Sequence, residues 1–238
     1  MNTALIFAGG TGQRMNSKAK PKQFLELHGK PIIIYTIEIF ERHPEIDNIV
    51  VVCLKSWIDE FKTLLAKNYI NKVTCIVPGG DTGHESIYNG LKAIRSTARE
   101  DDIILIHDGV RPLVSEELIS ENIQKVKEFR SCITVSKQAE TVVEVNDYEK
   151  IVDVPDRDIV RIAKAPQSFY YNDIWKAYQM AKEEHILTID SAQLMNRYGY
   201  ELHTVNCSPY NIKITSPSDF YVFRAIYEAI ENSQIFGI

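Results

Sequence analysis

The feature that most constrains this chain is a glycine-rich segment near its beginning, residues 7–15 (FAGGTGQRM). The apolar residues 4–7 predict a first β-strand, which places the glycines at its carboxyl end. Three glycines within four residues let the backbone turn sharply and bring its N–H groups close to an anion. Arg14 and Lys22 add two positive charges nearby. The segment therefore predicts a nucleoside triphosphate site at a sheet edge, with a plain strand-to-helix turn as the alternative.

Spacing excludes two familiar phosphate-binding loops. The P-loop requires Gly, four residues and then Gly-Lys-Ser/Thr, a string that this sequence does not contain. The dinucleotide fingerprint requires a third glycine three residues after the second, and counting from Gly10 and Gly12 places Met15 there. The segment therefore matches neither of these two phosphate-binding loops.

Composition limits the fold and the partners. At 238 residues the chain is long enough for one large α/β domain, and we expect residues 1–238 to form a single domain. The net charge of −5, with acidic and basic residues interspersed, argues against nucleic-acid and membrane partners. Four separated cysteines without zinc-site spacing indicate core thiols in a reducing compartment. With no signal segment or membrane-length apolar run, we expect a cytoplasmic protein.

Short β-branched runs alternate with amphipathic stretches of helix length. The predicted strands are Ala4–Ala8, Ile49–Cys53, Val73–Val77 and Ile103–Ile106. The predicted helices are Ile32–Arg42, Trp57–Lys67, Glu85–Ser96, Glu116–Lys127 and Asn172–Lys182, with a last helix opened by Ser216 and Pro217. This alternation is typical of an α/β fold with a mostly parallel sheet covered by helices on both faces.

The pattern changes after Cys132. Residues 142–154 are β-rich, with a predicted turn at Asn146-Asp147, which indicates a hairpin arm at about residues 139–160. An isolated hairpin is only marginally stable in water, so we expect the arm to pack on a second subunit. A solvent-exposed hairpin is the alternative.

A second strong motif is residues 103–112 (IILIHDGVRP). Its continuous apolar start predicts a buried central strand, with Asp108 at the carboxyl end where open α/β sheets hold ligands. One carboxylate there suits Mg²⁺, which keeps water ligands and completes its octahedron with phosphate oxygens. The alternative is that Asp108 pairs with Arg111 or caps a turn.

Two further segments carry polar residues near predicted strands. Residues 78–86 (PGGDTGHES) follow a strand and open a helix, so their glycine backbone and Ser86 suit recognition of a base, with a simple loop as the alternative. Residues 211–215 (NIKIT) predict a short strand that carries Lys213.

Six strings in order along the chain resemble the cytidylyltransferases that act on methylerythritol 4-phosphate or ribitol 5-phosphate. They are the glycine-rich opening with Arg14, residues 21–24 (PKQF), residues 79–81 (GGD), His107-Asp108 with Arg111-Pro112, residues 165–169 (APQSF) and residues 211–215 (NIKIT). The resemblance spans nearly the whole chain. It implies a Rossmann-like three-layer α/β fold, with a protruding β-arm that builds a homodimer.

The resemblance also implies residue roles. CTP would be bound by Ala8, Gly9, Gly10, Thr11, Gly12, Gly80, Asp81 and Ser86. The catalytic cations would be Arg14, Lys22 and Lys213, with Asp108 as the Mg²⁺ ligand. The polyol phosphate would be bound by Arg111, Thr141, Arg157 and Asp190, where Thr141 and Arg157 reach across the dimer interface.

The implied reaction is attack of the polyol phosphate on the α-phosphorus of CTP, with release of pyrophosphate. Gly9 and residues 23–27 (QFLEL) favour the ribitol branch over the methylerythritol branch. One alternative is a non-catalytic nucleotide-binding protein, against which the retained cations argue. Another is a transferase that joins sugar 1-phosphates to UTP or GTP, against which the later matches through Lys213 argue.

Three positions depart from the family pattern. Gly83 stands where an arginine is usual, Ala165 replaces a threonine, and Ile189 replaces a threonine or serine. Each change removes a hydrogen-bond donor, which would weaken methylerythritol phosphate binding or mark a different polyol. Lys164, next to Ala165, is a candidate for compensating charge.

Overall fold

The computed structural model describes residues 1–10 and 20–236, with side chains described as far as residue 233. In chain order the strands are β1 (Asn2–Ala8), β2 (Glu26–Leu27), β3 (Lys30–Pro31), β4 (Asn48–Cys53), β5 (Val73–Pro78), β6 (Ile103–Asp108), β7 (Ser131–Lys137), β8 (Glu144–Val145), β9 (Ile151–Asp153), β10 (Arg161–Tyr170) and β11 (Thr204–Asn206). The helices are α1 (Ile32–Arg42), α2 (Ile58–Lys67), α3 (Gly83–Ile94), α4 (Glu116–Phe129), α5 (Tyr171–Glu183), α6 (Ser191–Arg197) and α7 (Pro217–Phe236), with short 3₁₀ helices at Lys22–Phe24 and Lys55–Trp57.

A seven-stranded sheet in the order β11-β7-β10-β6-β1-β4-β5 forms the centre of the fold. Its strands run parallel except β10, which pairs antiparallel with both β6 and β7. The prediction of an α/β fold with a mostly parallel sheet is therefore confirmed. Because β1, β4, β5 and β6 are parallel, their carboxyl ends meet at one edge of the sheet, where such folds hold ligands.

Helices cover both faces of the sheet, which gives three layers. The alternation of β1 shows how the sequence builds them, because Ala4 and Ile6 join the core beneath α1, α2 and α4, whereas Leu5 joins the core beneath α3, α5 and α6. All three side chains are fully buried. A third, smaller core joins α7 to α1 through Phe223 and Tyr35.

The four predicted strands of the sheet and the predicted helices are confirmed, with shifted ends. Helix α3 begins at Gly83 rather than Glu85, because the Thr82 side chain accepts from Glu85 N–H while the Glu85 carboxylate accepts from Thr82 N–H. This reciprocal pair is a capping box, which fixes the start of the helix.

The predicted strand at residues 211–215 is wrong. This segment pairs with no strand in the described chain, and the carbonyls of Asn211 and Ile214 bind side chains instead. Arg111 and Lys164 donate to Asn211 O, and Lys22 donates to Ile214 O. These side-chain donors, together with the bond from Ile214 N–H to Val110 O at 2.9 Å, take the place of a neighbouring strand.

The predicted hairpin arm is present. Strands β8 and β9 pair antiparallel, and the turn between them closes with Asn146 N–H donating to Lys150 O at 3.0 Å. The arm carries exposed apolar side chains along its length, at Val143, Val145, Tyr148, Ile151, Val152, Val154 and Ile159. Within one chain this apolar surface faces solvent.

Gly90 allows α3 to lie against β1 and β4. A Cβ atom at Gly90 would fall 2.3 Å from Leu5 Cδ1 and 2.9 Å from Val52 Cγ2. We therefore expect Gly90→Val to lower the free energy of unfolding by about 1–3 kcal/mol through overpacking, measured by urea denaturation. Gly83→Ala is the control, because a Cβ there meets nothing within 4 Å, and an equal loss in both variants would contradict this explanation.

Candidate active site

A cavity of about 600 Å³ lies at the carboxyl ends of β1, β5 and β6. Its lining consists of Phe7, Ala8, Gly9, Gly10, Lys22, Gln23, Leu54, Gly80, Asp81, Thr82, Gly83, Ser86, Asp108, Val110 and Lys213. The structure therefore brings most of the residues predicted to bind CTP to one cavity. Thr11 and Gly12, which were also predicted to bind CTP, and Arg14, which was predicted as a catalytic cation, lie outside the described residues.

The glycine-rich loop is held by a buried glutamine. Gln23 Nε2 donates to Ala8 O at 2.7 Å and to Gly10 O at 3.2 Å, and the Gln23 side chain is almost completely buried. These two bonds fix the carbonyls of Ala8 and Gly10, so that the backbone of residues 8–10 is positioned before any ligand binds. We did not predict this role for Gln23, although it belongs to the PKQF string.

A close contact between two loops requires glycine at position 9. A Cβ at Gly9 would lie 3.0 Å from Ser86 Oγ and 3.3 Å from Gly79 Cα, both tighter than ordinary contacts. The loop at the end of β1 therefore packs directly on the loop at the end of β5. This packing joins the predicted triphosphate and cytidine regions in one wall.

The second loop is organised by Ser86 and Glu85. Ser86 Oγ accepts from Gly80 N–H at 3.1 Å and donates to Thr82 O at 2.9 Å. The Glu85 carboxylate accepts from Asp81 N–H at 2.8 Å. Glu85 was not among the predicted site residues, and its signal was the Thr82-x-x-Glu85 spacing of a capping box.

Two predicted cations line the cavity from distant parts of the chain. Lys22 Nζ donates to Ile214 O at 3.1 Å, so the segment after the glycine-rich loop is tied to residues 211–215. Lys213 Nζ lies 2.6 Å from Asp108 Oδ1. Both ammonium groups thus reach the edge where β1 and β6 end.

Asp108 is buried between two cations. Its Oδ2 accepts from Arg111 Nε at 2.8 Å, while Oδ1 pairs with Lys213. Burial alone would raise the pKa of Asp108, but the charges of Lys213 and Arg111 outweigh it and lower the pKa to about 2. The pairing with Arg111, proposed above as the alternative role of Asp108, is therefore present, and the carboxylate is ionised near neutral pH.

His107 supports the turn that carries these charges. It is fully buried, and its Nε2 lies 3.1 Å from Arg111 O. Burial lowers the pKa of His107 to about 4, so the ring is neutral near pH 7. A neutral ring that donates to Arg111 O fixes the backbone after Asp108.

A second cavity of about 280 Å³ adjoins the first. The two linings share Phe7, Gly83, Asp108 and Lys213. The remaining lining of the second cavity is Ile87, Ile106, Arg111, Ala163, Lys164, Ala165, Gln167, Ile189, Asp190 and Ser191. Two ligands, one in each cavity, would therefore meet beside Asp108 and Lys213.

Asp190 has a fixed orientation in the second cavity. Its Oδ2 accepts from Gln167 Nε2 at 3.0 Å, and its Oδ1 caps helix α6 by accepting from Gln193 N–H at 2.8 Å. Gly83, Ala165 and Ile189, the three departures from the family pattern, all line this cavity. The sequence differences thus all lie in the lining of the second cavity, and Gly83 also lines the first.

Thr141 and Arg157 are not brought to the site within one chain. Both are exposed on the arm, and neither is in the lining of either cavity. Across the described ranges, there is no cluster of three or more His, Cys, Asp or Glu side chains able to hold a metal ion. No helix in the same ranges is long and apolar enough to cross a membrane.

The fold and the two adjoining cavities, with Asp108 and Lys213 at their junction, define a nucleotidyltransferase. The IspD family, 2-C-methyl-D-erythritol 4-phosphate cytidylyltransferase, matches residues 2–229. The chain belongs to this family of cytidylyltransferases, as its motifs predicted.

Similar proteins include members of both branches. A ribitol-5-phosphate cytidylyltransferase of Vibrio parahaemolyticus is 52% identical over 238 residues, which is 100% of both chains. A 2-C-methyl-D-erythritol 4-phosphate cytidylyltransferase of Clostridium botulinum is 35% identical over 96% of this chain and 98% of its own. The crystal structure of 4-diphosphocytidyl-2C-methyl-D-erythritol synthase from Anaerococcus prevotii has a TM-score of 0.82 at 28% identity, covering 95% of this chain and 96% of the other.

Proposed function

We propose that this protein transfers CMP from CTP to D-ribitol 5-phosphate and produces CDP-ribitol and pyrophosphate. The observation that carries the proposal is the pair of cavities that meet at Asp108 and Lys213. The larger cavity fits a nucleoside triphosphate and is called the nucleotide cavity below. The smaller fits a phosphorylated polyol and is called the acceptor cavity. The relative with 52% identity over its full length, which bears the name of this activity, supports the choice of acceptor.

The reaction depends mainly on the positioning of the two substrates and on neutralisation of the negative charge in the transition state. An oxygen of the acceptor phosphate attacks the α-phosphorus of CTP, the bond from this phosphorus to the oxygen bridging to the β-phosphorus breaks, and pyrophosphate leaves. The attacking phosphate is already ionised near neutral pH, so the protein need supply no general base. Lys22 and Lys213 are placed to neutralise the negative charge that accumulates in the transition state.

We propose Asp108 as the protein ligand of Mg²⁺. A single ionised carboxylate fits this ion, which binds to few protein groups when triphosphate oxygens and water complete its shell. Each Asp108 oxygen accepts from one cation and retains a further lone pair. When bound, Mg²⁺ would offset the charge of the triphosphate.

We propose that the arm forms a homodimer and delivers Thr141 and Arg157 to the acceptor cavity of the partner. Support comes from the exposed apolar side chains of the arm, including Val145 at 55% and Ile159 at 78% exposure. The second cavity also lacks both residues within its own chain. The four free cysteines support a reducing compartment, and we propose the cytoplasm.

The acceptor is tested by measuring pyrophosphate release with CTP, Mg²⁺ and each polyol phosphate in turn. Because Gly83, Ala165 and Ile189 remove donors from the acceptor cavity, we expect kcat/KM for ribitol 5-phosphate to exceed that for 2-C-methyl-D-erythritol 4-phosphate by about tenfold or more.

Each other outcome has a defined meaning. Preference for the methylerythritol substrate would reverse the choice of branch. CTP binding without pyrophosphate release from any polyol phosphate would favour a non-catalytic nucleotide-binding protein. Equal turnover of UTP or GTP with a sugar 1-phosphate would place the protein among other nucleotidyltransferases.

A further inference from the structure

We propose that Lys164 is a specificity-determining residue that provides the second positive charge with which the acceptor cavity attracts the phosphate of its substrate. This inference rests on the proposed function, because it concerns the acceptor cavity of the same reaction. Lys164 lines that cavity and is absent from the lining of the nucleotide cavity. Its effect should therefore be confined to one of the two substrates.

An irregularity in β10 places Lys164 at the cavity. Strands β10 and β7 pair regularly up to Ala163 opposite Val135, and again from Gln167 opposite Ile133. Between these two pairs the chain advances four residues along β10 but only two residues along β7. Bulges of this kind redirect side chains beside functional sites. The residues within the irregularity include Lys164 and Ala165, which both line the acceptor cavity.

The Lys164 ammonium is anchored only weakly. Its Nζ donates to Pro209 O and to Asn211 O, each at 3.3 Å, which is longer than the usual N–H···O distance of about 2.9–3.0 Å. An ammonium group has three N–H donors, so a ligand in the cavity has a donor to bind. Asn211 is itself buried, and its Nδ2 donates to Ala165 O at 2.7 Å. This second bond holds Asn211 in place, and with it the carbonyl that accepts from Lys164.

Charge at the junction favours a phosphate dianion. Arg111 and Lys213 both bind the Asp108 carboxylate, so one of their two charges is neutralised. Lys164 shares the Asn211 carbonyl with Arg111 and forms no ion pair with a carboxylate in the described part of the chain. The three cations and Asp108 together carry a net charge of about +2, which matches a phosphomonoester with a charge of about −1.5 to −2 at pH 7.

The other carboxylate that lines the acceptor cavity, that of Asp190, is suited to a different part of the substrate. Asp190 is held by Gln167 and by the amino end of α6, and as an acceptor it suits the hydroxyl groups of the substrate. The cavity thus provides cations for the phosphate and a carboxylate for the polyol. Lys164 offsets with charge the donors that are missing at Ala165 and Ile189.

The test compares Lys164→Gln with Lys164→Arg in steady-state assays with CTP and whichever polyol phosphate the wild-type enzyme turns over best. We expect Lys164→Gln to raise KM for the acceptor about 10- to 100-fold. KM for CTP is expected to change less than about twofold. Because Lys164→Arg keeps the charge, we expect it to restore KM for the acceptor to within a few-fold of wild type.

A matched control is Lys176→Gln, which removes an exposed lysine of α5 outside both cavities. We expect no change in either KM. An unchanged acceptor KM in Lys164→Gln would overturn the inference, as would equal changes in both KM values or a fall in kcat alone. These outcomes are independent of the proposed acceptor, which fails if wild-type protein does not use ribitol 5-phosphate or prefers 2-C-methyl-D-erythritol 4-phosphate.

Discussion

Lys22→Ala is expected to lower turnover by about 10²–10³-fold or more while the protein remains folded. The Lys22 side chain lines the nucleotide cavity, where its charge would stabilise the transition state. The adjacent residues keep the segment in place, because Gln23 binds the glycine-rich loop and Phe24 stacks on Trp57 with ring centroids 4.5 Å apart. The measurement is kcat for pyrophosphate release, together with thermal unfolding of both proteins.

The control for this prediction is Lys62→Ala, which removes an exposed lysine of α2 whose ion pair within the described ranges is with the exposed Asp59. Its turnover should match that of wild type. Near-normal turnover in Lys22→Ala would refute the assignment of Lys22 as a catalytic cation. The same loss is expected for Arg14→Ala, although Arg14 lies outside the described residues.

The second prediction with a large effect is that two impaired variants regain activity when their chains form a heterodimer. If Arg157 acts in the site of the partner subunit, Arg157→Ala should lower kcat/KM for the acceptor about 10- to 100-fold. A heterodimer of Lys22→Ala and Arg157→Ala then contains one site with both changes and one intact site. We expect it to show about half of the wild-type activity.

This experiment uses two differently tagged chains, produced together and purified through both tags. The matched control is a heterodimer of two differently tagged Lys22→Ala chains, which has no intact site and should remain inactive. If the mixed heterodimer is no more active than its parents, Arg157 acts within its own chain or outside the site. Recovery of monomers alone would refute the homodimer.

The sequence predicted the sheet well because its central strands are buried on both faces and therefore form continuous apolar runs. It failed at residues 211–215, which were predicted as a strand. The carbonyls of Asn211 and Ile214 accept from the side chains of Lys22, Arg111 and Lys164 instead of from a neighbouring strand. An apolar alternation specifies which side chains are buried. It does not specify what satisfies the backbone between them.

Most of the residues predicted to bind CTP line the first cavity, and Arg111 and Asp190, predicted to bind the acceptor, line the second. The sequence did not indicate some of the residues that hold these regions in place. Gln23 acts through the carbonyls of Ala8 and Gly10, and this contact joins residues that lie 13 to 15 positions apart in the sequence. The neighbourhood of Lys164, Gln167 and Asp190 likewise depends on the irregular pairing of β10. Such contacts link residues that the fold brings together, so a local sequence pattern does not predict them.

The lining of the second cavity has a consequence for how substrate preference can change in this family. At Gly83 an added side chain would meet open space, and Ile189 is 91% exposed, so neither position contributes to the packed core. Substitutions there alter what the cavity offers to a polyol at little expense to folding. If the second cavity binds the acceptor as proposed, selection can thus exchange one acceptor for another at its rim while the sheet beneath remains unchanged.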